Sequence, residues 1–570
     1  MSANTDPVGN QSLDRFDTIV IGSGAGGGAV AHVLTKGGQK VLVLEAGPNW
    51  FRGLDDPQDQ PITVFANDEI KLGSRNFIVP DPRVEPRTWR TSEADGDRSF
   101  TGDVNPLPKT VGGGAAHADL KMPRFVPSDF KLGTLLGAIP GATFADWPVD
   151  YAALEPFYFY AEKIVGVQGR AGSSPMEGPR SGDYPMPPGT AMYASTRVAA
   201  GLTKLGYTPF PYPTAVNSRP YDGRPPCVDC GFCSGFGCPS NAKGSPPVTT
   251  LRRALLTGNC LLLPGTRATR LLMSASNNAV TGVEAIGPDG AKATFTADRY
   301  VLAASPIEDA RLLLLSNPGG PGVGNSSGQV GRNLTFHLQT VAFGIFEERL
   351  HGHRGRAVDT GFADFRGVPG DPTRPLGGIV EISAGEGPVA ETAFYAQIMR
   401  VIGFDGPRLK RLMRQSPGRD RAVVLVMQAE DAPQASNRVD LDPAVRDLDG
   451  LPVARVTYQN HAFELGARDF YSPKLIDILG ASGARWAAIG PQDQIPQSAH
   501  VMGTLRFGAD ASASVCDPDG RFHDVGNLYA ADGSLFPTSS GFNPTLTIIA
   551  LALRVAGAIL FPGAPEKALG

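Results

Sequence analysis

Apolar residues in the first fifty positions change their spacing twice. The run Thr18–Ile21 is continuous, Ala29–Leu34 follows a helical spacing, and Val41–Leu44 is again continuous. Short continuous apolar runs are typical of buried strands, and the stretch between them has the length of one helix. The pattern predicts a strand–helix–strand unit with a tight turn at Gly22-Ser-Gly24-Ala-Gly-Gly27.

A similar order of strand and helix returns in the middle of the chain. Strand-like runs occupy Leu261–Leu272, Ala279–Ile286 and Thr294–Ala303, with turn residues between them. The last run leads into a helical pattern at Ile307–Leu315. Two strand-to-helix units hundreds of residues apart imply one sheet assembled from distant segments.

The second half of the chain contains a different pattern before it returns to the first. Residues 338–485 alternate turns with strand-like stretches such as Val341–Ile345 and Val423–Glu430, which predicts a second, antiparallel sheet. A further strand then ends at Asp532, and Thr545–Phe561 follows as a buried helix. The whole pattern predicts an α/β fold.

Composition and charge exclude several classes of protein. With 570 residues and 41% hydrophobic content, the chain is long enough for two or three domains and is not disordered or fibrous. Its 52 basic and 56 acidic residues create no field that would favour nucleic acid or an anionic membrane.

Arg554 interrupts the most apolar segment, so no membrane span is expected. The N-terminus shows no signal peptide, and the default expectation is the cytoplasm.

The glycines of the first turn predict a dinucleotide site. Gly22 permits the tight turn, Gly24 lets the backbone approach a pyrophosphate, and Gly27 allows the helix to pack closely. Glu45 ends the second strand 23 residues after Gly22. A carboxylate at that place accepts hydrogen bonds from the two hydroxyls of an adenosine ribose and repels a 2′-phosphate.

Several motifs follow one another in a fixed order over nearly the whole chain. They are GSGAGGG with LEAGP, the VGGG turn, YVLAASPIEDARLLLLS, GRNLTFH, HVMGT and NLYAADGSLFPTSSGFNPTLTI. This order resembles the glucose–methanol–choline (GMC) family of FAD oxidoreductases. Within the family, Ala145–Gly166 and Asn437–Pro443 with Gly450–Arg455 are similar to the bacterial sugar dehydrogenase and pyranoside 3-oxidising branch. Ser305 departs from the pattern, because many members have Gly there, and the GGGAA turn lacks a common Ser, Thr or Asn.

The resemblance implies an α/β fold with two domains. A discontinuous Rossmann-like FAD-binding domain is expected at 14–130, 245–337 and 490–565. A substrate domain with a mainly antiparallel sheet and helices is expected at 131–244 and 338–489.

The resemblance also assigns roles to individual residues. His500 and Asn543 match the family's catalytic pair, and Asp532 matches an acid that contacts the ribityl chain of FAD. His117 resembles a histidine that links flavin covalently in some members, and we expect it to contact FAD non-covalently. His337 is expected at the domain junction. The cofactor-binding set is Gly22, Gly24, Gly27, Glu45, Gly112, Gly113, His117, Asp532, Gly533, Asn543, Pro544 and Thr545.

Alcohol oxidation needs a group that removes the hydroxyl proton while a hydride leaves carbon for flavin N5. A neutral imidazole has a suitable pKa, so we expect His500 to be the base and Asn543 to donate a hydrogen bond to the substrate oxygen. An unperturbed imidazole would lose this ability below a pH of about 6.5.

Four of the six cysteines lie in one run, Cys227, Cys230, Cys233 and Cys238, followed by proline. The last interval is one residue longer than in a ferredoxin run. The spacing leaves an iron–sulfur cluster, a zinc site and plain reduced thiols as alternatives.

The sequence therefore predicts FAD-dependent oxidation of a CH–OH group of a sugar, glycoside or other alcohol. Electrons are expected to pass to an acceptor other than oxygen, with a small accessory subunit and the acceptor itself as candidate partners. The alternative is an oxidase that uses oxygen and produces hydrogen peroxide.

Overall fold

The computed structural model describes residues 5–9, 15–64, 86–96, 100–101, 108–231, 233–352, 354–383, 406–415, 420–490 and 498–570. The strands are β1 Phe16–Ile21, β2 Val41–Leu44, β3 Phe51–Arg52, β4 Ile62–Thr63, β5 Thr88–Arg90, β6 Phe100–Thr101, β7 Phe210–Pro211, β8 Cys260–Leu263, β9 Arg267–Met273, β10 Val280–Ile286, β11 Lys292–Phe295, β12 Ala297–Leu302, β13 His337–Phe346, β14 Val358–Phe362, β15 Val380–Ser383, β16 Ala422–Glu430, β17 Arg438–Arg446, β18 Pro452–Thr457, β19 Ala484–Ile489 and β20 Leu528–Ala530. The α-helices are α1 Ala25–Lys36, α2 Leu132–Leu136, α3 Tyr151–Val165, α4 Tyr193–Lys204, α5 Thr250–Leu256, α6 Pro306–Leu315, α7 Gly406–Gln415, α8 Ala462–Ala481 and α9 Thr545–Leu560.

A five-stranded parallel sheet is built from three distant parts of the chain. Its order is β20-β12-β1-β2-β8. All four residues of β2 are buried, as expected for a strand covered on both faces. This confirms the predicted α/β fold and the sheet assembled from separate segments.

Two helices, α1 and α9, pack against each other beside this sheet. Helix α1 begins after Gly24 and ends at Gly37, as the glycines of the sequence predicted. Helix α9 is buried along most of its length, and Arg554 reaches its surface to pair with Asp519 at 3.0 Å. Among the helices of the described residues, none is both long and apolar enough to cross a membrane.

A six-stranded antiparallel sheet has the order β19-β13-β16-β15-β14-β7. One face, with residues such as Ala342, Leu425 and Met427, packs against α4 and α8. Because side chains alternate along a strand, the other face of β13 carries His337 and Gln339. That second face borders the cavity described below.

The sequence pattern missed several helices, among them α4 and α8, and merged some strands. Helix α4 lies in a Gly- and Pro-rich stretch, and α8 contains Pro473 within a region predicted as strands and turns. The predicted strand Leu261–Leu272 is divided into β8 and β9, and Thr294–Ala303 into β11 and β12. Glycine and proline at residues 264–265 cause the first break, since that pair favours a turn.

Among the described residues, three smaller sheets complete the fold, and one of them joins strands that were predicted to lie in different domains. Strands β9, β10 and β11 form an antiparallel sheet, β3 pairs with β4, and β17-β18-β5-β6 form another sheet. In the last of these, β5 pairs with β18 in parallel, although the two strands were assigned to different domains. The division into an FAD-binding and a substrate domain stays a prediction.

Candidate active site

The turn after β1 is shaped by close backbone packing. Gly22 has φ +104°, in the left-handed region that favours glycine. A Cβ on Gly27 would overlap the carbonyl oxygen of Gly22, and one on Gly26 would overlap the carbonyl oxygen of Ala531. At Gly24, by contrast, the nearest atom to an added Cβ is 3.9 Å away, the Cα of Gly113. The space in front of Gly24 is therefore open, at the N-terminus of α1.

Glu45 is held by the turn that it faces. Its carboxylate accepts hydrogen bonds from the Ser23 hydroxyl at 2.6 Å, the Ser23 amide at 3.1 Å and the Gly47 amide at 2.7 Å. The amide of Gly112 donates to the same Ser23 hydroxyl at 2.9 Å. Burial raises the pKa of Glu45. A carboxylate has about four acceptor sites, so capacity remains for a ribose hydroxyl.

The predicted site residues surround one large cavity. Its volume is about 650 Å³, within the usual range for a cofactor or ligand site. The carboxyl ends of β1, β2, β12 and β20 open onto it, as ligand sites of parallel sheets do. The predicted residues in its wall are Gly22, Gly24, Glu45, Gly113, His117, His500, Asp532, Gly533, Asn543, Pro544 and Thr545. Gly27 and Gly112 lie behind the wall and shape the turns.

Asp532 occupies the wall between β20 and α6. Its carboxylate accepts from the amides of Ser534 at 2.8 Å and Ser305 at 2.9 Å. Ser305 has φ +84°, which explains physically why the family prefers glycine there. Burial raises the pKa of Asp532, with hydrogen bonds from Ser534 and Ser305 opposing that rise. Its contact with the ribityl chain stays a prediction, as does the non-covalent role of His117.

His500 and Asn543 meet in the cavity wall. The Asn543 side-chain amide nitrogen lies 3.4 Å from His500 Nε2 and donates to Glu381 Oε1 at 2.8 Å. The Tyr212 hydroxyl donates to the amide oxygen of Asn543. These two outer partners fix the orientation of an amide that is only 2% exposed.

His337 also belongs to this group, which the sequence analysis did not expect. Its Nδ1 lies 2.9 Å from His500 Nδ1, and its Nε2 donates to the Ser539 carbonyl oxygen at 3.1 Å. Burial lowers the pKa of His337 to about 4. Burial, followed by electrostatic interactions with His337 and Lys121, lowers the pKa of His500 well below its ordinary value. Both rings are therefore neutral near pH 7.

Polar side chains that the sequence analysis did not single out line the cavity beside His500. Lys121 Nζ pairs with Glu381 Oε2 at 2.6 Å and with Asp119 Oδ2 at 3.1 Å. The Ser234 hydroxyl donates to Asp119. Gln339 is also in the wall, and it hydrogen-bonds the buried Gln428, which in turn donates to Glu381. No motif indicated this network, because its members are far apart in the sequence.

The four clustered cysteines do not form a prepared metal site. Among the described residues, no three His, Cys, Asp or Glu side chains are placed to hold a metal ion. Burial raises the pKa of Cys227 to about 11 and that of Cys233 to about 12, so both are thiols at neutral pH. Lys243 Nζ donates to the carbonyl oxygens of Cys233 and Phe236, at 3.0 and 2.8 Å. These contacts secure the loop through its backbone and lend the iron–sulfur hypothesis no support.

The residues present fit the FAD that the sequence resemblance implies. A pyrophosphate fits the open space at Gly24, because the free amides at the start of α1 favour an anion. The Glu45 carboxylate and His500 line the same cavity, which suits a dinucleotide with its ribose at the carboxylate and its reactive ring near the histidine.

Comparisons with known proteins agree with this geometry. Sequence profiles described as GMC oxidoreductase match residues 194–339 and 433–552. The chain is 31% identical to 2-methyl-1,2-propanediol dehydrogenase of Mycolicibacterium austroafricanum, over 95% of each chain. It is 31% identical to paromamine 6'-oxidase of Streptomyces fradiae, over 98% of this chain and 94% of that one. It is 29% identical to the fructose dehydrogenase large subunit of Gluconobacter japonicus, over 97% and 99%.

Solved structures share the fold at lower sequence identity. Pyridoxine 4-oxidase from Mesorbium loti has a TM-score of 0.62 and 18% identity, over 95% of this chain and 98% of that one. Formate oxidase has a TM-score of 0.63 and 14% identity, over 98% and 100%. These likenesses concern the fold of the whole chain.

Proposed function

The chain belongs to the GMC oxidoreductase family and acts on CH–OH donors with FAD, and within that family we propose that it is a dehydrogenase of sugars or related polyols. The observation that carries the proposal is the neutral His500 beside Asn543 at the end of the dinucleotide cavity. A neutral imidazole there is available to take a proton from a bound alcohol.

His500 and Asn543 divide the work at the reacting alcohol. His500 Nε2 removes the hydroxyl proton, and the Asn543 amide donates a hydrogen bond to the oxygen as negative charge develops on it. Asn543 has two amide hydrogens, and one is already directed to Glu381. The second hydrogen is on the same nitrogen, which lies 3.4 Å from His500 Nε2, and it is available to a substrate oxygen. When bound, FAD supplies the hydride acceptor, and the protein supplies the base and the orientation.

The nearby cavity wall supports a substrate with several hydroxyl groups. Lys121, Asp119 and Gln339 present donors and acceptors within the same wall as His500. Lys121 pairs with both Asp119 and Glu381, so its positive charge is already neutralised. A neutral polyol hydrogen-bonds to such a set without adding an unpaired charge. A sugar or glycoside therefore suits the site better than a simple long-chain alcohol.

Electron transfer to an acceptor other than oxygen is supported by relatives named as dehydrogenases. They include 2-methyl-1,2-propanediol dehydrogenase and the fructose dehydrogenase large subunit. The second of these names denotes one subunit of an assembly, which supports an accessory subunit here as well. The alternative is an oxidase, which similarity to paromamine 6'-oxidase favours.

Flavin content and anaerobic reduction test this proposal together. Purified protein is expected to be yellow, to release FAD on acid precipitation, and to be bleached anaerobically by neutral sugars or polyols. The reduced protein should then be reoxidised faster by a quinone analogue than by oxygen. Colourless protein that does not take up FAD would overturn the cofactor assignment. Faster reoxidation by oxygen, with peroxide formed, would instead make it an oxidase.

A further inference from the structure

The hydrogen bonds of His337 determine which of its ring nitrogens carries a proton. The Ser539 carbonyl oxygen can only accept, so His337 Nε2, 3.1 Å away, must be the N–H. His337 is buried and its pKa is lowered to about 4, so the ring is neutral at pH 7. A neutral imidazole has one N–H only. The Nδ1 of His337 is therefore an acceptor.

This assignment fixes the tautomer of His500 in turn. Two Nδ1 atoms lie 2.9 Å apart, and since that of His337 accepts, that of His500 must donate. His500 is neutral as well, so its Nε2 has a free lone pair. The same Nε2 lies next to the Asn543 amide, which is a donor, in the wall of the cavity. The acceptor at one end of this series of hydrogen bonds, the Ser539 carbonyl, and the donor at the other end, the Asn543 amide, therefore require the same tautomer of His500.

We propose that His337 is a positioning residue that holds His500 in the Nδ1–H tautomer, so that the Nε2 lone pair faces the substrate. The inference rests on the proposed function, in which His500 Nε2 takes the hydroxyl proton. In the opposite tautomer, Nε2 would carry a hydrogen and could accept nothing. In serine proteases, the loss of the residue that fixes the catalytic histidine's tautomer lowers kcat by about 10⁴-fold.

The backbone around His337 is built to keep the ring in place. The buried Asp431 carboxylate accepts hydrogen bonds from the backbone amides of the two residues that flank His337, Phe336 at 2.9 Å and Leu338 at 2.8 Å. Ser539, whose carbonyl oxygen accepts the hydrogen bond from His337 Nε2, donates its own hydroxyl hydrogen to Glu430 at 3.0 Å. The two groups that set the tautomer are therefore themselves anchored on β13 and β16.

Two substitutions separate positioning from general structural support. Gln in place of His337 can donate to the Ser539 carbonyl and accept from His500 Nδ1, so H337Q should preserve the tautomer. Leu fills the space but can neither donate nor accept a hydrogen bond, so in H337L the tautomer of His500 should no longer be fixed. With FAD bound, H337L is expected to reduce its flavin about 10²–10⁴-fold more slowly than the wild type. H337Q should stay within about tenfold of the wild type, with substrate affinity little changed in both.

The tautomer can be observed without any turnover. In ¹⁵N-histidine-labelled holoenzyme, the ring-nitrogen shifts distinguish Nδ1–H from Nε2–H, and the His500 signals are those absent from H500A. His500 should be the Nδ1–H tautomer in the wild type and in H337Q. In H337L it should be the Nε2–H tautomer or a mixture of the two.

Three results would separate failure of this inference from failure of the proposed function. The role of His337 would be overturned if His500 in the wild type were the Nε2–H tautomer. It would also be overturned if His500 in H337L stayed Nδ1–H and the flavin of that variant were reduced at the wild-type rate. Should H337L not fold, the wild-type spectrum and the H337Q rate still decide the matter. Flavin reduction in H500A at the wild-type rate would instead overturn the proposed base and leave the measured tautomer of His500 intact.

Discussion

At the scale of single residues, the burial of His500 sets the pH range over which it can act. The base is the neutral ring, and burial together with His337 and Lys121 lowers its pKa well below 6.5. The neutral form therefore persists as pH falls, so the acid limb of flavin reduction should lie below pH 6.5. This corrects the expectation for an unperturbed imidazole. Anaerobic stopped-flow rates from pH 5 to 8 test it, and a limb at or above 6.5 would contradict the assignment.

Some members of the site could be predicted from the sequence and others could not. His500, Asn543 and Asp532 stand in motifs that are recognisable by their immediate neighbours. Lys121 and His337 act through contacts with Glu381 and His500, which lie 260 and 163 positions away. A local pattern holds no information about such contacts. His337 was placed at a domain junction for that reason, and the structure shows that its ring contacts His500.

At the scale of elements, the turn between β1 and α1 combines two kinds of glycine. Gly27→Ala should destabilise the apoprotein by about 1–3 kcal/mol, because the methyl group would overlap the Gly22 carbonyl. Gly24→Ala should leave apoprotein stability nearly unchanged, since its methyl group enters open space. The same methyl group should weaken FAD binding by about 10–100-fold, because it occupies the proposed pyrophosphate position.

Urea unfolding of the two apoproteins and FAD titration test this pair, and each variant serves as the control for the other. An unaltered FAD affinity in Gly24→Ala would contradict the cofactor placement. A stable Gly27→Ala apoprotein would show that the turn adjusts to the extra methyl group.

The elements themselves were predicted best where the apolar pattern was local and regular. The β1–α1–β2 unit and α9 have such patterns, and the structure has them at the expected places. Helix α8 was missed because its buried residues are few for its length and Pro473 interrupts the pattern. A capping box of His461 and Glu464 fixes its start, but histidine is not among the residues by which that motif is recognised in a sequence.

At the scale of the whole molecule, the fold brings the proposed catalytic group together from separate parts of the chain. His337 begins a strand of the antiparallel sheet, His500 follows that sheet in the sequence, and Asn543 precedes α9 behind the parallel sheet. Residues of both sheets line the same cavity, among them Ile21 and Leu44 of the parallel sheet and Gln339 of the antiparallel sheet. The four clustered cysteines are not among the residues that line this cavity, although Ser234 of the same loop is, and a metal role for them stays a prediction.

Single-turnover reduction of the flavin in His500→Ala tests the central claim most directly. Wild type, His500→Ala and His523→Ala are loaded with FAD and mixed anaerobically with a neutral polyol that reduces the wild type. His523 serves as the control because it lies outside the cavity wall and bonds Ser514. We expect flavin reduction about 10²–10⁴-fold slower in His500→Ala than in the wild type, with equal FAD content. His523→Ala should reduce its flavin at the wild-type rate. Reduction of His500→Ala at the wild-type rate would contradict the central claim.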